Sequence, residues 1–504
     1  MRVTGSPLAA NLCPVLRLRA WAEGHPALAG FAAFALVSGV VRIADYAKPL
    51  SSDPAQFLYV GQTVGAGGMP YADAAFSKGP LTALLFAAID PLVGTSPAAV
   101  RLSVVPFAAL AALALAGYVA HHAGRAAGLL AGLVCATLSG IAAFEGAECK
   151  TENYGIAPMF GALWLATRRG TAATAGAGAL AACAVLIHPA LGVVLPPLLA
   201  ELWLGTARGD RARRLLVAAA GALVPTLLAA LWLVAGGALD DALAQLGEQI
   251  HSSGSSEVVQ PVNRVRDGVD DGSGYLSLPE FRSDLPAAGL WLMAFASCLV
   301  AARKRRLRRP ALVLALALAA VLLRVKLASY ELNYQYYPAV PAIAGAIALA
   351  TASVWPRRGR ERIAVAALVL ILPLVGYVIR PQKDLLRLDP DARLEASARA
   401  EPVADFVHDH TAPGDRIFVV GGRAEVYWLA ERRAPTRFFD VHGPSSTGDV
   451  AERDRDLEQD PPAAVAAVYP DRLALDPGPS RLVREHGYVL AYDSARSRVW
   501  LRRR

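Results

Sequence analysis

The sequence predicts an all-α polytopic membrane bundle with about eleven transmembrane helices, followed by a small C-terminal extracytoplasmic α/β domain. Three observations predict it. Of 504 residues, 55% are hydrophobic and only 18% charged, where soluble domains carry about 25% charge; the mean hydropathy is +0.38. Apolar runs recur from Pro26 to about Arg380, and about 20 residues at about 1.5 Å each cross a hydrocarbon core about 30 Å thick. Beyond residue 385 the composition becomes that of a soluble domain. A soluble enzyme and a disordered chain are thereby excluded.

The chain divides into a cytoplasmic N-terminus (1–25), a transmembrane domain (26–380) whose first outer loop runs over 45–97, and a soluble domain (385–504). The predicted spans are 26–44, 98–120, 124–143, 153–167, 171–187, 189–206, 214–236, 286–302, 310–327, 338–355 and 362–380. Arg17 and Arg19 precede the first run, which reads as an uncleaved helix because similar Ala-rich runs recur throughout. The spans at 153–167 and 171–187 are short and rich in Gly and Ala, which suits close helix packing. The apolar run Gly79–Gly94 is short and contains Asp90-Pro91, so it reads as a re-entrant or interfacial helix.

The net charge is +8. The arginines cluster between apolar runs, at Arg168-Arg169, Arg211 to Arg214, Arg303 to Arg309 and Arg357 to Arg362. With the N-terminus inside, the inner loops together with the span ends Arg125, Arg214 and Arg362 give twenty Lys and Arg, and the outer loops before the tail together with Arg324 and Lys326 give eight. This is the positive-inside pattern, and an odd number of spans then places the tail outside. Nucleic-acid binding is excluded, because it needs a basic face on a folded domain. The cysteines Cys13, Cys135, Cys149, Cys183 and Cys298 lack metal spacing or a disulfide framework and read as inert thiols, most of them in apolar runs.

The polar residues beside the membrane are the functional candidates. Ser51, Ser52 and Asp53 precede Pro54 and the apolar stripe Phe57, Val60, Gly61 and Val64; Asp53 reads as a helix N-cap or as a functional acid. A second acidic patch holds Glu145, Glu148, Lys150 and Glu152. Glu152 reads either as an acid favoured by a helix dipole or as a site acid. Lys78, Arg324 and Lys326 can bind a lipid phosphate or snorkel at the interface. The aromatics Tyr330, Tyr334, Tyr336 and Tyr337 suit an interfacial belt. The acidic loop 237–285 contains Asp267-Gly268-Val269-Asp270-Asp271, which lacks the closing Glu of an EF-hand and reads as part of a polar lid. A transporter or flippase would instead show charge pairs or broken helices at midplane, and a non-enzymatic membrane scaffold would fit a first loop that has lost activity.

These residues resemble a family. The run DPAQFLYVGQ from Asp53 to Gln62, then MPYADAAFSKGPL from Met69 to Leu81, is similar to the first outer loop of GT-C membrane glycosyltransferases of the protein O-mannosyltransferase and lipid A aminoarabinose transferase type. Weaker likenesses are SPAAVRL from Ser96, Thr151-Glu152, Ile187-His188-Pro189 and YQYYPAVPAIA from Tyr334, so that residues 26–380 are covered. The sequence departs from the pattern at Pro54, where an acid often follows, at Gly79 in place of Pro, and at Gln335 in place of His. The resemblance implies transfer of a sugar, with inversion, from a polyprenyl-phosphate donor to an extracytoplasmic glycan, lipid or protein. It implies Asp53 as general base, Glu152 as a positioning acid, and Lys78 with Arg324 or Lys326 on the donor phosphate. It nominates Tyr59, Gln62, Tyr71, Gln335 and Tyr336 as substrate-binding residues. No nucleotide is implied. No cofactor is required and no metal site is expected; the missing second acid argues against a divalent cation. An O-antigen ligase-like GT-C enzyme is the alternative within the class.

In the tail, Ala398–Thr411 is predicted as an amphipathic helix, and 416–422, 464–469, 488–492 and 499–501 as strands or strand ends. Gly421-Gly422 is no nucleotide fingerprint, and His408 and His410 suit a solvated helix end. The tail is expected to be an accessory or acceptor-contacting domain without catalysis of its own.

The basic asymmetry generates a topology prediction. A reporter fused after Arg380 is expected to be active only outside the cytoplasm, and one fused near Arg306 only inside. A tail reporter active inside would overturn the span count.

Overall fold

The structure is a computed structural model and describes residues 23–46, 48–251, 281–327, 333–355, 359–379, 400–439, 447–469, 473, 476–494 and 497–503. The lid candidate around Asp267 and the side chain of Lys326 lie outside the described residues.

The chain is mostly helical. The helices used below are α1 (Pro26–Val40), α2 (Ser52–Gly65), α3 (Pro80–Val93), α4 (Pro97–Leu102), α5 (Val104–Ala123), α6 (Arg125–Leu138), α7 (Thr151–Ala166), α8 (Thr171–Ile187), α9 (Leu195–Leu204) and α10 (Arg211–Ala235). They continue with α11 (Leu239–His251), α12 (Phe281–Ala302), α13 (Arg308–Leu327), α14 (Val340–Ser353) and α15 (Gly359–Pro373). Among the described residues, three helical stretches are by length and composition long and apolar enough to cross a membrane: 97–123, 208–235 and 334–353. Shorter apolar helices cover 26–40, 80–93, 125–138, 171–187, 189–204, 289–302 and 365–376. The predicted spans thus fall on helices of unequal length. One reason is visible at Pro189–Val194, where a 3₁₀ turn precedes α9 and interrupts what the sequence presents as one run.

Packing follows composition. Gly178 of α8 and Gly221 of α10 leave no room for a Cβ against the opposing backbone at Ala218 and Ala175, so small residues let these two helices touch. On α10 the large side chains turn outward: Leu216, Leu223, Leu227, Leu228 and Leu231 are all more than half exposed. So wide an apolar face is at home in lipid and not in water; the protein is a membrane protein.

Two buried arginines organise the end of the bundle where α2 and α7 begin. Arg42 is fully buried and donates to the carbonyls of Ser38 (2.7 Å), Ser139 (2.6 Å) and Gly146 (3.2 Å) and to the hydroxyls of Ser139 (2.9 Å) and Tyr337 (3.3 Å). Arg101, on α4, donates to the carbonyls of Lys48 (3.4 Å), Pro49 (2.5 Å) and Ala147 (3.0 Å) and pairs with Glu148 at 3.5 Å. Buried loop carbonyls without partners are costly. Five fixed donors per guanidinium let one side chain serve several of them.

The C-terminal domain holds α16 (Ala400–His410), β1 (Ile417–Val420), α17 (Ala424–Ala430), α18 (Thr447–Gln459), β2 (Ala464–Ala467), α19 (Pro477–Glu485), β3 (Tyr488–Asp493) and β4 (Arg498–Arg502). Its sheet has the order β1-β2-β4-β3, with β1 and β2 parallel and the other two pairs antiparallel. The domain shares one hydrophobic core with the segment 45–97: Phe57, Tyr59, Phe76 and Phe86 belong to the same cluster as Val403, Tyr427, Trp428 and Phe439. Tyr59 sits at the join. Its ring lies 3.9 Å from that of Phe439 and 5.4 Å from that of Tyr427, and its hydroxyl accepts the Ala434 N–H at 3.0 Å.

Replacing Arg101 by Met is expected to strand Glu148 and three loop carbonyls, lowering stability by about 3–5 kcal/mol. A depressed midpoint of thermal unfolding in detergent, only partly restored by Arg101→Lys, is the expected result. An unchanged midpoint would contradict it.

Candidate active site

The loops tied down by Arg42 and Arg101 lead directly into α2 and α7, and the first turns of these helices face each other. Ser51 occupies the cap position of α2 without a side-chain cap bond, and Asp53 lies inside the first turn. Asp53 is therefore not the cap. Its Oδ2 accepts from Lys150 Nζ at 2.7 Å. Lys150 also lies 3.9 Å from Glu145 Oε2 and 4.9 Å above the ring of Tyr334. Lys150 is held by its backbone too, because its N–H donates to Asn153 Oδ1 at 2.7 Å and closes the start of α7.

Behind this pair lies a buried second layer. Glu152 is 1% exposed and Lys78 7% exposed, so neither reaches out to solvent as a snorkelling or helix-start residue would. Lys78 Nζ is 3.3 Å from His188 Nε2, which is 3.7 Å from Glu152 Oε1. The Ala190 N–H donates to His188 Nδ1 at 3.1 Å. This assigns the acceptor role to Nδ1 and the proton of the neutral ring to Nε2. Two donors, Lys78 and His188, then face each other, an arrangement that an anionic oxygen between them would satisfy. Burial lowers the proton affinity of Lys78, opposed by Glu152 and Asp53. Burial also holds the His188 imidazole well below its usual range, with Lys78 and Arg324 adding to the effect.

Gly79 explains how Lys78 gets there. A Cβ at residue 79 would collide with the Leu186 carbonyl, while the Gly79 N–H and the Thr82 hydroxyl both donate to the Ile187 carbonyl, at 3.0 and 2.6 Å. The departure from the family pattern at Gly79 thus presses the loop against the end of α8, one residue from His188. Tyr71, at φ 72°, donates its hydroxyl to the Lys78 carbonyl at 2.6 Å and supports the same loop.

Several polar atoms around these groups are buried without a hydrogen-bond partner: Ser51 Oγ, both side-chain atoms of Gln56, Ser77 Oγ, Glu152 Oε1 and Gln335 Oε1. Gln56 lies one turn after Asp53, on the same helix face. Unmatched buried polar atoms are rare in folded proteins, and their gathering beside Asp53 and Lys78 marks a place for a polar ligand.

The nominated residues separate into two groups. Asp53, Glu152 and Lys78 lie in the cluster, and Arg324 is near enough for its charge to act on Lys78 and His188; Gln335 is buried and follows Tyr334, whose ring lies under Lys150. The others face elsewhere. Tyr59 packs into the C-terminal domain. Gln62 donates to Asp90 at 3.0 Å. Tyr71 braces the Lys78 loop, and Tyr336 packs between Phe144 and Trp291. Lys150 and His188 were not nominated. The signal for Lys150 was a lone cation among three acids; for His188 it was a histidine standing between two apolar runs.

Glu145 carries a pH prediction. Burial pushes its carboxyl up to about 7, Lys150 opposes, and Glu148, Asp53 and Glu152 add to the rise. An acid whose folded pKa is raised contributes stability below its unfolded value, near 4.5, and loses it as pH rises through about 7. The wild-type unfolding midpoint is therefore expected to fall between pH 5 and 8 relative to Glu145→Gln. Parallel pH profiles of the two proteins would refute the assignment.

Solved structures share this fold along nearly the whole chain. ArnT from Cupriavidus metallidurans in the apo state matches with a TM-score of 0.59 at 17% identity, over 95% of this chain and 98% of that one. The same protein bound to undecaprenyl phosphate matches with 0.60 at 16% identity, over 93% and 97%. The archaeal oligosaccharyltransferase AglB from Archaeoglobus fulgidus, in complex with an inhibitory peptide and a dolichol-phosphate, matches with 0.55 at 14% identity, over 96% of this chain and 75% of that one. ArnT, a lipid A aminoarabinose transferase, and AglB are GT-C glycosyltransferases; at these identities the likeness is one of fold. No protein-family model matches the sequence, and no curated protein matches it.

Proposed function

We propose that the protein is an integral membrane glycosyltransferase that moves a sugar from a polyprenyl-phosphate donor to an extracytoplasmic acceptor with inversion. The observation that carries this reading is the cluster itself. A partly exposed carboxylate, Asp53, lies in the same cluster as the buried donor pair Lys78 and His188, at the end of the helix bundle where α2 and α7 begin. The solved relatives in fold hold undecaprenyl phosphate and dolichol-phosphate, which supports a lipid-phosphate donor here.

In this reading the acceptor hydroxyl attacks the anomeric carbon while Asp53 takes its proton. The new carbon–oxygen bond forms as the bond from that carbon to the phosphate oxygen breaks, and the phosphate leaves with the electron pair. Lys78, His188 and Arg324 meet the charge that develops on it, and no step is assigned to a metal ion. Lys150 holds the Asp53 carboxylate in place, and Glu152 orients His188. Gln56 and Gln335 offer unmatched groups to the sugar. The transferred unit is a hexose or pentose, and the acceptor a glycan, lipid or protein. The direct test incubates purified protein with labelled polyprenyl-phosphate sugars and looks for released polyprenyl phosphate. No release with any donor of this class would sink the proposal.

Asp53→Asn keeps size and helix start but cannot accept a proton. It is expected to fold and bind donor normally and to transfer sugar about 10²–10⁴-fold more slowly, while Asp73→Asn and Asp90→Asn stay near wild type. A near-wild-type rate for purified Asp53→Asn would shift the base role to Glu152.

Lys78→Ala is expected to weaken donor binding more than Lys78→Arg does, with the unfolding midpoint retained, because a charge-assisted bond to phosphate is lost. Unchanged donor affinity in the Ala variant would remove Lys78 from the phosphate site.

A further inference from the structure

A second polar site lies at the other end of α7, sixteen residues and so about 24 Å from Glu152. A cavity of about 370 Å³ opens there, walled by His121, Thr167, Arg168, Arg169, Arg214 and Arg309. That volume falls within the range of about 300–1,000 Å³ typical of ligand pockets.

The wall is unbalanced in charge. Its neighbouring carboxylate, Glu201, is fully buried and already taken up: Arg309 pairs with it, the Tyr118 hydroxyl donates to it at 3.2 Å, and His122 lies 3.6 Å away. Arg214 is spent on structure. It donates to the carbonyls of Ala166 (2.8 Å) and Arg168 (2.7 Å), which α7 leaves open at its C-terminus, and to the hydroxyls of Thr174 and Thr206. Arg168 and Arg169 are exposed and have no carboxylate partner among the described residues. Arg168 lies over the Trp164 ring, 5.2 Å from its centroid, which orients its guanidinium beside the cavity. Four guanidiniums against one carboxylate leave an excess of three positive charges around one concavity. Repulsion among them is relieved by a multivalent anion, and planar guanidinium forks match phosphate oxygens. Basic pockets between membrane helices bind lipid phosphates by this chemistry.

We infer that this cavity is a phosphate-binding site, separate from the Asp53 cluster, which takes the phosphate of an anionic lipid headgroup or free phosphate. The lining residues Thr167, Arg214 and Arg309 stand at the ends of apolar helices, where headgroups meet a membrane bundle, and this favours the lipid as its source.

The test uses full-length protein in neutral detergent. Native mass spectrometry and thermal unfolding follow titration with inorganic phosphate in one arm and dioctanoyl phosphatidylglycerol in the other. Wild type is expected to bind at least one probe. The double variant Arg168→Ala/Arg169→Ala, which touches no internal ion pair, is expected to bind it at least about tenfold more weakly. A control, Arg305→Ala/Arg306→Ala, removes exposed cations of the same basic band that do not line the cavity, and is expected to bind as wild type does. Binding of the lipid alone identifies a headgroup site; binding of both identifies phosphate itself as the recognised group. Three results would overturn the inference: no binding of either probe to wild type, undiminished binding by the Arg168/Arg169 variant, or an equal loss in the control.

Discussion

The end of the bundle where α2 and α7 begin depends on the burial of two guanidinium groups. Arg42 and Arg101 between them accept the task of pairing carbonyls from residues 38, 48, 49, 139, 146 and 147. Ser38 lies in the last turn of α1, where its carbonyl has no helical partner, and the others belong to irregular segments that leave theirs without a backbone partner, so the guanidiniums supply the donors that these buried carbonyls need. An arginine does this where a lysine could not, because its fork is rigid and cannot shed its charge. Glu148 beside Arg101 balances part of that charge. Once the two loops are fastened, the first turns of α2 and α7 have little freedom, and Asp53 meets Lys150 at 2.7 Å.

The candidate site is built from conflicts that a ligand would resolve. Lys78 and His188 present donors to each other at 3.3 Å, and burial weakens the proton affinity of both. Nearby amide and hydroxyl groups have nothing to bond. Such an arrangement costs stability unless a polar group lies between the donors. It persists because the scaffold over-determines it: Gly79 is jammed against the end of α8, Tyr71 braces the loop, and the C-terminal domain closes over α2 through Tyr59, Tyr427 and Phe439. The tail is thus part of the site's support. Arg437 shows the same from another side, reaching Asp241 at the start of α11 at 2.6 Å while its carbonyl receives the Ala75 N–H.

The two ends of the bundle solve different electrostatic problems. At the end bearing Asp53, acids and bases are interleaved, and nearly every charge has an opposite neighbour. At the other end arginines outnumber acids. That excess suits loops facing an anionic leaflet, yet the cavity beside α7 concentrates it more than topology requires.

How much of this was legible in the sequence can be argued residue by residue. Apolar runs, Gly/Ala-rich segments and arginine clusters are local properties, so the membrane class, the helical segments and the C-terminal strands could be read directly. The loop motif around Asp53 and Lys78 singled out two residues that the fold gathers with Glu152. The partners of these residues were not legible. Lys150 is 97 positions from Asp53 and His188 is 110 from Lys78, and no periodicity links residues so far apart. Tyr59 and Tyr71 stood inside the same motif and looked like ligand-binding groups, but pack as structural supports. A motif specifies which side chains a loop carries. Which way each one points is decided by the competition of burial and hydrogen bonding across the whole fold, and that exists only once the loops have been fastened together.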